Sequence, residues 1–408
     1  MKFPRILCLL TAVSIAAAMS ACGGASTGTR QNLPPPPPPT GTNYTTCNNQ
    51  QVPNWQSSLF ISNYQKAIQA MVGKYGSDSR IGYIRIGLGR GGEINLPQGW
   101  NDSSSGACYG GYSGKWNYSV GGSTSSSSSW NTYLSTMVGF EAGLGSSHPL
   151  LVSITPVNGA GTATDDFIAG VAHQHGISFG NQGLESSDIT GFPNGCGGDW
   201  CNLFAQYPAS QASPIRELQT LGQSCPAGTA CVNNLASNTG PLPPLLSFAT
   251  QNGSNDLEIY YQDWLIAYDN AYANSVGAGN SQAAYQAAIQ AARAAGAKMQ
   301  VLFPPQSGDT DYPAVQQYLM NNPDVDGVLI SVEWSDFDLG SNGAHSSYDF
   351  GITETAIQPW VSAGKTVNLV LQDTTYGGSG NCPNSGIGSN GNVGNDCAMP
   401  AWMWTVLQ

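Results

Sequence analysis

Apolar and polar residues follow two rhythms along this chain, one of helical period and one of dense apolar runs, and the two take turns. Phe60 to Tyr75 sets Ile61, Tyr64, Ile68, Met71, Val72 and Tyr75 three or four residues apart, which predicts an amphipathic helix. Ile81, Tyr83, Ile84, Ile86 and Leu88 follow with the β-branched and aromatic content of a buried strand. Gly87, Gly89, Gly91 and Gly92 then let the backbone turn sharply and deliver Glu93. Helices are predicted at Trp130 to Phe140 and Asp165 to His173, and strands at Pro149 to Val157, Gly176 to Gly180, Pro214 to Gln219 and Leu257 to Tyr261. Gln282 to Ala295 reads as an alanine-rich helix closed by Gly296. Lys298 to Phe303 is a strand stopped by Pro304 and Pro305. The strand DGVLISVEW from Asp326, a helix from Phe350 to Ser362 and the strand Thr366 to Gln372 complete the series.

Strands alternating with helices predict an α/β fold with a parallel sheet and crossover helices. The strands total eight, the closing number of a (β/α)8 or TIM barrel, so residues 46–408 read as one barrel with large loops.

The chain start changes the picture. Residues 1–21 have a basic beginning at Lys2 and Arg5, an apolar run from Ile6 to Ala18 and a small-residue end, the pattern of a secretory signal. Met19-Ser20-Ala21-Cys22 resembles the bacterial lipobox, which implies cleavage before Cys22 and lipidation there. Residues 22–45 contain consecutive prolines from Pro34 to Pro39 and read as a semi-rigid tether. The expectation is a lipid-anchored protein of the bacterial cell envelope, on the outer membrane and facing the periplasm or the surface, with no other membrane contact.

A net charge of −12 with 13 scattered Lys and Arg argues against nucleic acid as a partner. Setting aside Cys8 and Cys22 leaves Cys47, Cys108, Cys196, Cys201, Cys225, Cys231, Cys382 and Cys397. An even number in an oxidising compartment reads as disulfide staples, with Cys196–Cys201, Cys225–Cys231 and Cys382–Cys397 as local pairs and Cys47 left for Cys108. Zinc is the alternative, without a CxxC pair or a His at ligand spacing to support it. His173 and His175 stand where a helix ends and read as dipole-favoured terminal residues. No G-x-S-x-G elbow, Walker turn or dinucleotide fingerprint occurs, and no cofactor or metal is expected.

Glu93, at the mouth of a glycine-rich turn after a strand, stands where a barrel enzyme keeps a catalytic carboxyl. The stretch from Asp326 to Gln372 resembles the segment that opens many clan A glycoside hydrolases, including β-galactosidases with the pattern W-S-x-x-E-P-x-x-G-x-Y-D-F. Trp334-Ser335, Tyr348-Asp349-Phe350 and Gly364-Lys365 match; Asp338-Leu339 stands where that family has Glu-Pro. In those enzymes the segment covers the second and third strands, whereas here it lies near the carboxyl end. The resemblance implies a circularly permuted barrel in the strand order 4-5-6-7-8-1-2-3. Met399 to Trp402 and Val52 to Trp55 resemble the elements on either side of the junction. The run from Gly87 to Glu93 is similar to the G-L-G-P-x-G-E turn of β-amylases, whose Glu is a general acid. Gly92 stands where clan A enzymes carry Asn.

Either resemblance makes Glu93 the proton donor of an O-glycosyl hydrolase; the clan A resemblance implies retention and the β-amylase-like turn an inverting reaction. The reading is cleavage of a β-linked oligo- or polysaccharide with retention favoured over inversion. By strand position Glu217 is the partner carboxylate, with Glu258, Glu185 and Glu333 as alternatives and an Arg216–Glu217 surface ion pair as the plain reading. Substrate contacts are expected from Trp100, Trp264, Trp334 and Trp402, each close to a strand end, from Asn158, Asn181 and Gln182 as hydroxyl partners, and from Glu258. A monomer is expected. The other functional class is a non-catalytic surface lipoprotein that binds glycan on a degenerate barrel.

Overall fold

The computed structural model describes residues 44–47, 50–55, 57–89, 92–94, 129–154, 163–184, 189, 191, 200–220, 242–302, 312–341, 344–373 and 399–407. Two short strands, β1 (Tyr44–Cys47) and β2 (Gln50–Pro53), pair antiparallel ahead of the main body. Eight strands then form a closed parallel barrel: β3 (Ile81–Ile86), β4 (Leu150–Ser153), β5 (Ser178–Leu184), β6 (Arg216–Thr220), β7 (Asp256–Tyr260), β8 (Lys298–Leu302), β9 (Gly327–Glu333) and β12 (Thr366–Gln372). Each pairs with the next in chain order, and β12 closes on β3. A second antiparallel hairpin, β10 (Asp338–Ser341) with β11 (Ala344–Tyr348), interrupts the series between β9 and β12.

All eight strands expected from the apolar runs are present, because runs of that length and composition between helical stretches have few other ways to be buried on both faces. The boundaries differ. The strand expected at Pro149 to Val157 is only Leu150–Ser153, and the one expected to end at Gly180 begins at Ser178 and continues to Leu184. Gly296 ends its helix with φ 94°, a conformation that costs a glycine little.

The pattern did not announce the helices Leu242–Gln251 and Tyr312–Met320, which carry prolines near their starts, where a missing N–H costs nothing. Nor did it announce Tyr261–Tyr268, which begins directly where β7 ends.

Side chains alternate between two cores. Ile84, Val152, Leu218, Leu257, Val301, Val328 and Leu369 face the helices. Tyr83, Leu151, Leu302, Leu329 and Val370 form a separate, smaller cluster from the opposite faces of their strands, inside the barrel. A closed ring of parallel strands has no intrinsic first strand, so its order does not record a permutation. What the chain shows is a helix, Ser58–Tyr75, ahead of the first barrel strand.

The links are unequal at the two ends. Helix-to-strand links such as 76–80, 175–177, 295–297 and 363–365 are short, whereas the chain between a strand and the next described helix is long at 87–128, 185–199, 221–241 and 373–400. The chain is therefore invested at the carboxyl ends of the strands, the end where barrel enzymes build their sites. Cys47 belongs to β1 and Cys201 to the helix Trp200–Gln206, but the side chains of both lie outside the described residues. Cys22, Cys108, Cys196, Cys225, Cys231, Cys382 and Cys397 lie outside them altogether, as do the signal segment and residues 22–43 of the expected tether, whose last two residues, Tyr44 and Thr45, belong to β1.

Candidate functional site

The glycine turn after β3 is anchored from several sides. Gly87 N–H donates to Leu371 O at 2.8 Å, and Leu88 N–H donates to Glu93 O at 3.1 Å, closing the turn on itself. The Tyr64 hydroxyl donates to Gly87 O at 2.6 Å, and Trp130 Nε1–H donates to Ile94 O at 3.1 Å. Glycine is required at two points. A Cβ on Gly87 would lie 2.5 Å from Gly92 Cα, and Gly92 itself has φ 79°. The turn so held buries Glu93 to 5% exposure instead of leaving it in solvent.

Below the turn the barrel interior is charged. Arg85, on β3, lies 2.8 Å through Nη1 from Glu258 Oε2 on β7 and 3.7 Å from Glu217 Oε2 on β6, and all three are buried. The Tyr83 hydroxyl donates to Glu258 Oε1 and lies 3.4 Å from Asp256 Oδ1, and Gln300 Nε2 donates to Asp256 Oδ2 at 3.2 Å. One cation thus serves a group of carboxyls in a space that barrels usually fill with branched apolar side chains.

Burial pushes the Glu217 carboxyl well above the ordinary carboxylate range; Glu258, Asp256 and Glu93 push the same way and Arg85 opposes. Burial raises Asp256 too, with Glu258 adding to it and the hydrogen bonds from Gln300 and Tyr83 opposing. Burial disfavours the charged form of Arg85, yet Glu258 and Glu217 more than offset this and hold it cationic. Both Glu217 oxygens lack a hydrogen-bond partner among the described residues, as do Gln219 Oε1 and both amide atoms of Asn181. Buried polar atoms left in that state call for an explanation, a ligand or ordered water being the ordinary ones. Tyr260, at the carboxyl end of β7, is raised by burial and then by Glu93 and Glu258, so the turn carboxyl acts on the barrel mouth.

Of the residues expected in a site, the structure brings Glu93, Glu217 and Glu258 into one electrostatic group. The surface ion pair of Arg216 with Glu217 does not form. Adjacent strand residues face opposite ways, and the Arg216 guanidinium donates to Tyr207 O and Pro208 O and lies 4.0 Å above the Phe179 ring, outside the barrel. Glu217 also sits deeper than a strand-mouth reading implies, as the second residue of β6 with Leu218 to Thr220 beyond it. Glu333 caps the helix Trp334–Phe337, in a capping box with Asp336.

The tryptophans expected as sugar-stacking walls are a correction. Trp334 is fully buried against Phe60, Tyr64 and Trp402, with Nε1–H donating to Asp338 Oδ2 at 2.7 Å. Trp264 is fully buried on the ring of Tyr268, and Trp402 is 3% exposed. Closeness to a strand end does not say which side of the helix layer a large ring takes, and apolar area favours the inside. Trp100, Asn158 and Glu185 lie outside the described residues, as does the side chain of Gln182.

Arg85, Tyr83 and Asp256 were missed, although a signal existed. An Arg within IGYIRIG, and Asp and Glu alternating with Leu and Ile in DLEIY, put polar groups on one face of a strand whose other face is apolar. Among the described residues no group of three or more His, Cys, Asp or Glu is arranged to hold a metal ion.

No family model matches the chain, and no curated protein matches it. A crystal structure of 2,3-dimethylmalate lyase, described as a PEP mutase/isocitrate lyase superfamily member, is similar over 76% of this chain and 79% of its own, with 9% identity and a TM-score of 0.23. That degree of likeness does not bear on chemistry.

Proposed function

We propose that this chain is a glycoside hydrolase that cleaves a β-linked oligo- or polysaccharide at the carboxyl-end mouth of the barrel, with Glu93 and Glu217 as its carboxyl pair. The observation that carries the reading is Glu217: buried, without a hydrogen-bond partner among the described residues, and raised above the ordinary carboxylate range by burial and by the neighbouring carboxyls, Glu93 among them. Glycoside hydrolysis needs one carboxyl that holds a proton and another that does not. Strand position makes Glu93 the donor and Glu217 the nucleophile. The electrostatics favour the reverse, with Glu217 protonating the leaving oxygen and Glu93 attacking the anomeric carbon or activating water. Glu258, bound by Arg85 and Tyr83, orients that cation beside Glu217.

The clan A relationship and the rotated strand order belong to the same proposal. The helix Ser58–Tyr75 supports it by its place. It meets the helix Ser129–Ala142 through Gln65 and Met137, and Tyr75 packs on Phe350 at 5.4 Å, at the start of the helix Gly351–Ser362. A crossover helix following β12 would lie there. We also propose export and lipid anchoring at Cys22, with the disulfide staples that an oxidising compartment allows. No helix among the described residues is long and apolar enough to cross a membrane. Cys22→Ser should move the protein from the membrane fraction to the soluble one; a wild-type protein already soluble would remove the anchor.

One observation favours the glycan-binding reading instead: the complete burial of Glu217, which a structural ion cluster in a barrel without catalysis would also show. The mature protein assayed on aryl glycosides and polysaccharides beside Glu93→Gln and Glu217→Gln decides between them. Hydrolysis reduced about 10²- to 10⁴-fold in each variant is the expected result. Equal hydrolysis in all three proteins, or binding with no hydrolysis in any, would overturn the assignment.

A further inference from the structure

The end of the barrel away from Glu93 is also open. A cavity of 390 Å³ enters at the amino ends of the strands, lined among others by Gly82, Asp256, Lys298, Gln300, Thr366 and Asn368. Asn368 is 1% exposed and neither its Oδ1 nor its Nδ2 has a hydrogen-bond partner among the described residues; Gln300, 3% exposed, leaves Oε1 equally unmatched there. Buried amides in that state are rare, because a polar group taken out of water without a replacement partner loses its hydrogen bonds uncompensated.

The backbone is arranged to leave those amides room. A Cβ on Gly82 would lie 2.4 Å from Asn368 Oδ1, and one on Gly327 would lie 2.4 Å from Gln300 Oε1. Gly82 further sits where the register of β12 against β3 slips between Val367 and Leu369. Glycines and a bulge weaken strands, and they recur where a ligand approaches the backbone closely. Here they replace the branched side chains that ordinarily plug this end of a barrel.

We propose that this cavity is a second binding site, for a small uncharged polyhydroxyl compound of monosaccharide or cyclic-polyol size, held by the amides of Asn368 and Gln300 and the carboxyl of Asp256. The chemistry selects that class. The free Asn368 amide offers a donor and an acceptor side by side, Gln300 offers an acceptor, and Asp256 is already engaged by Gln300 and Tyr83 with its charged form disfavoured by burial. At the rim Asp326 is already engaged by Arg293 at 3.1 Å and Lys298 is exposed, its charge solvated, so neither sets the charge of an occupant deeper in the cavity. Asp256 also touches Tyr83, whose hydroxyl reaches Glu258, so an occupant bears on the Arg85 group from below. The inference stands apart from the hydrolase reading, since it involves neither Glu93 nor hydrolysis.

Saturation-transfer NMR and titration calorimetry with glucose, galactose, mannose and myo-inositol test it on the wild-type protein and three variants. At least one compound should bind the wild type and Glu93→Gln alike. Its affinity should fall at least tenfold in Asn368→Leu, and again in Thr366→Trp, which caps the entrance from an exposed position and leaves the interior intact. Binding by none of the compounds would mean that the cavity holds water alone. Binding unchanged in both Asn368→Leu and Thr366→Trp, or lost in Glu93→Gln, would place the compound elsewhere. Either result would overturn the proposal.

Discussion

Arg85→Met should be the most damaging single substitution among the described residues, lowering stability by about 3–5 kcal/mol in denaturant unfolding at neutral pH. The reason lies in the unequal cost of breaking and replacing a buried ion pair. Arg85 brings the one cation found beside Glu217 and Glu258, and the 2.8 Å contact of its Nη1 with Glu258 offsets part of the desolvation of both. Removing only the cation strands a carboxylate inside a closed barrel. Removing both charges does not, so Arg85→Met combined with Glu258→Gln should recover most of the loss. A single variant within about 1 kcal/mol of wild type, or a double variant no better than the single, would show that the pair does not hold the interior together.

Stability should also fall as the solution is brought from about pH 5 to pH 8, the reverse of the usual behaviour of paired carboxylates. Glu217, Asp256 and Glu141 are raised above their ordinary range, each first of all by burial. A raised carboxyl binds its proton more tightly in the folded state. Its contribution is complete below the unfolded pKa and is lost as the pH climbs through the folded one. Each such group makes stability fall by about 1.4 kcal/mol per pH unit while only its folded form remains protonated.

Asp78 and Glu354 act oppositely. Hydrogen bonds from Arg80 lower both, so their contribution disappears as the pH drops through their folded values. Together the two sets place the optimum on the mildly acidic side, at roughly pH 4.5–6. Glu141→Gln should make the fall toward pH 8 less steep by one group's share, because neither Glu141 oxygen has a hydrogen-bond partner to lose among the described residues. Urea midpoints that rise steadily from pH 5 to pH 8 would refute this.

Local rules were enough for the fold class. The runs that became β3 to β9 and β12 are each too short for a surface helix and are either densely apolar or alternate polar with apolar residues, and the helical stretches between them have one apolar face. Glu93 was legible for the same reason: a glycine cluster ending in a carboxylate directly after a strand has a defined place in a barrel. What a linear reading could not supply is which atoms meet across the ring. Arg85 is far from Glu217 and Glu258 in the chain, and only closure of β12 on β3 brings these strands around one axis.

The same closure decided the tryptophans and the carboxyls. Trp264, Trp334 and Trp402 lie near strand ends, yet their area is better removed from water than displayed, and the aromatic neighbours that accept them come from distant segments. Likewise no local pattern says that the Glu217 carboxyl is pushed above its ordinary range. That follows from full burial among other carboxyls that share one guanidinium, a property of the assembled interior and of no segment by itself. The order and type of the elements were thus settled by the chain, through periodicity and turn chemistry; charge state, depth and facing partners were settled by the closed ring, because desolvation and Coulomb energy depend on distances that exist only after folding.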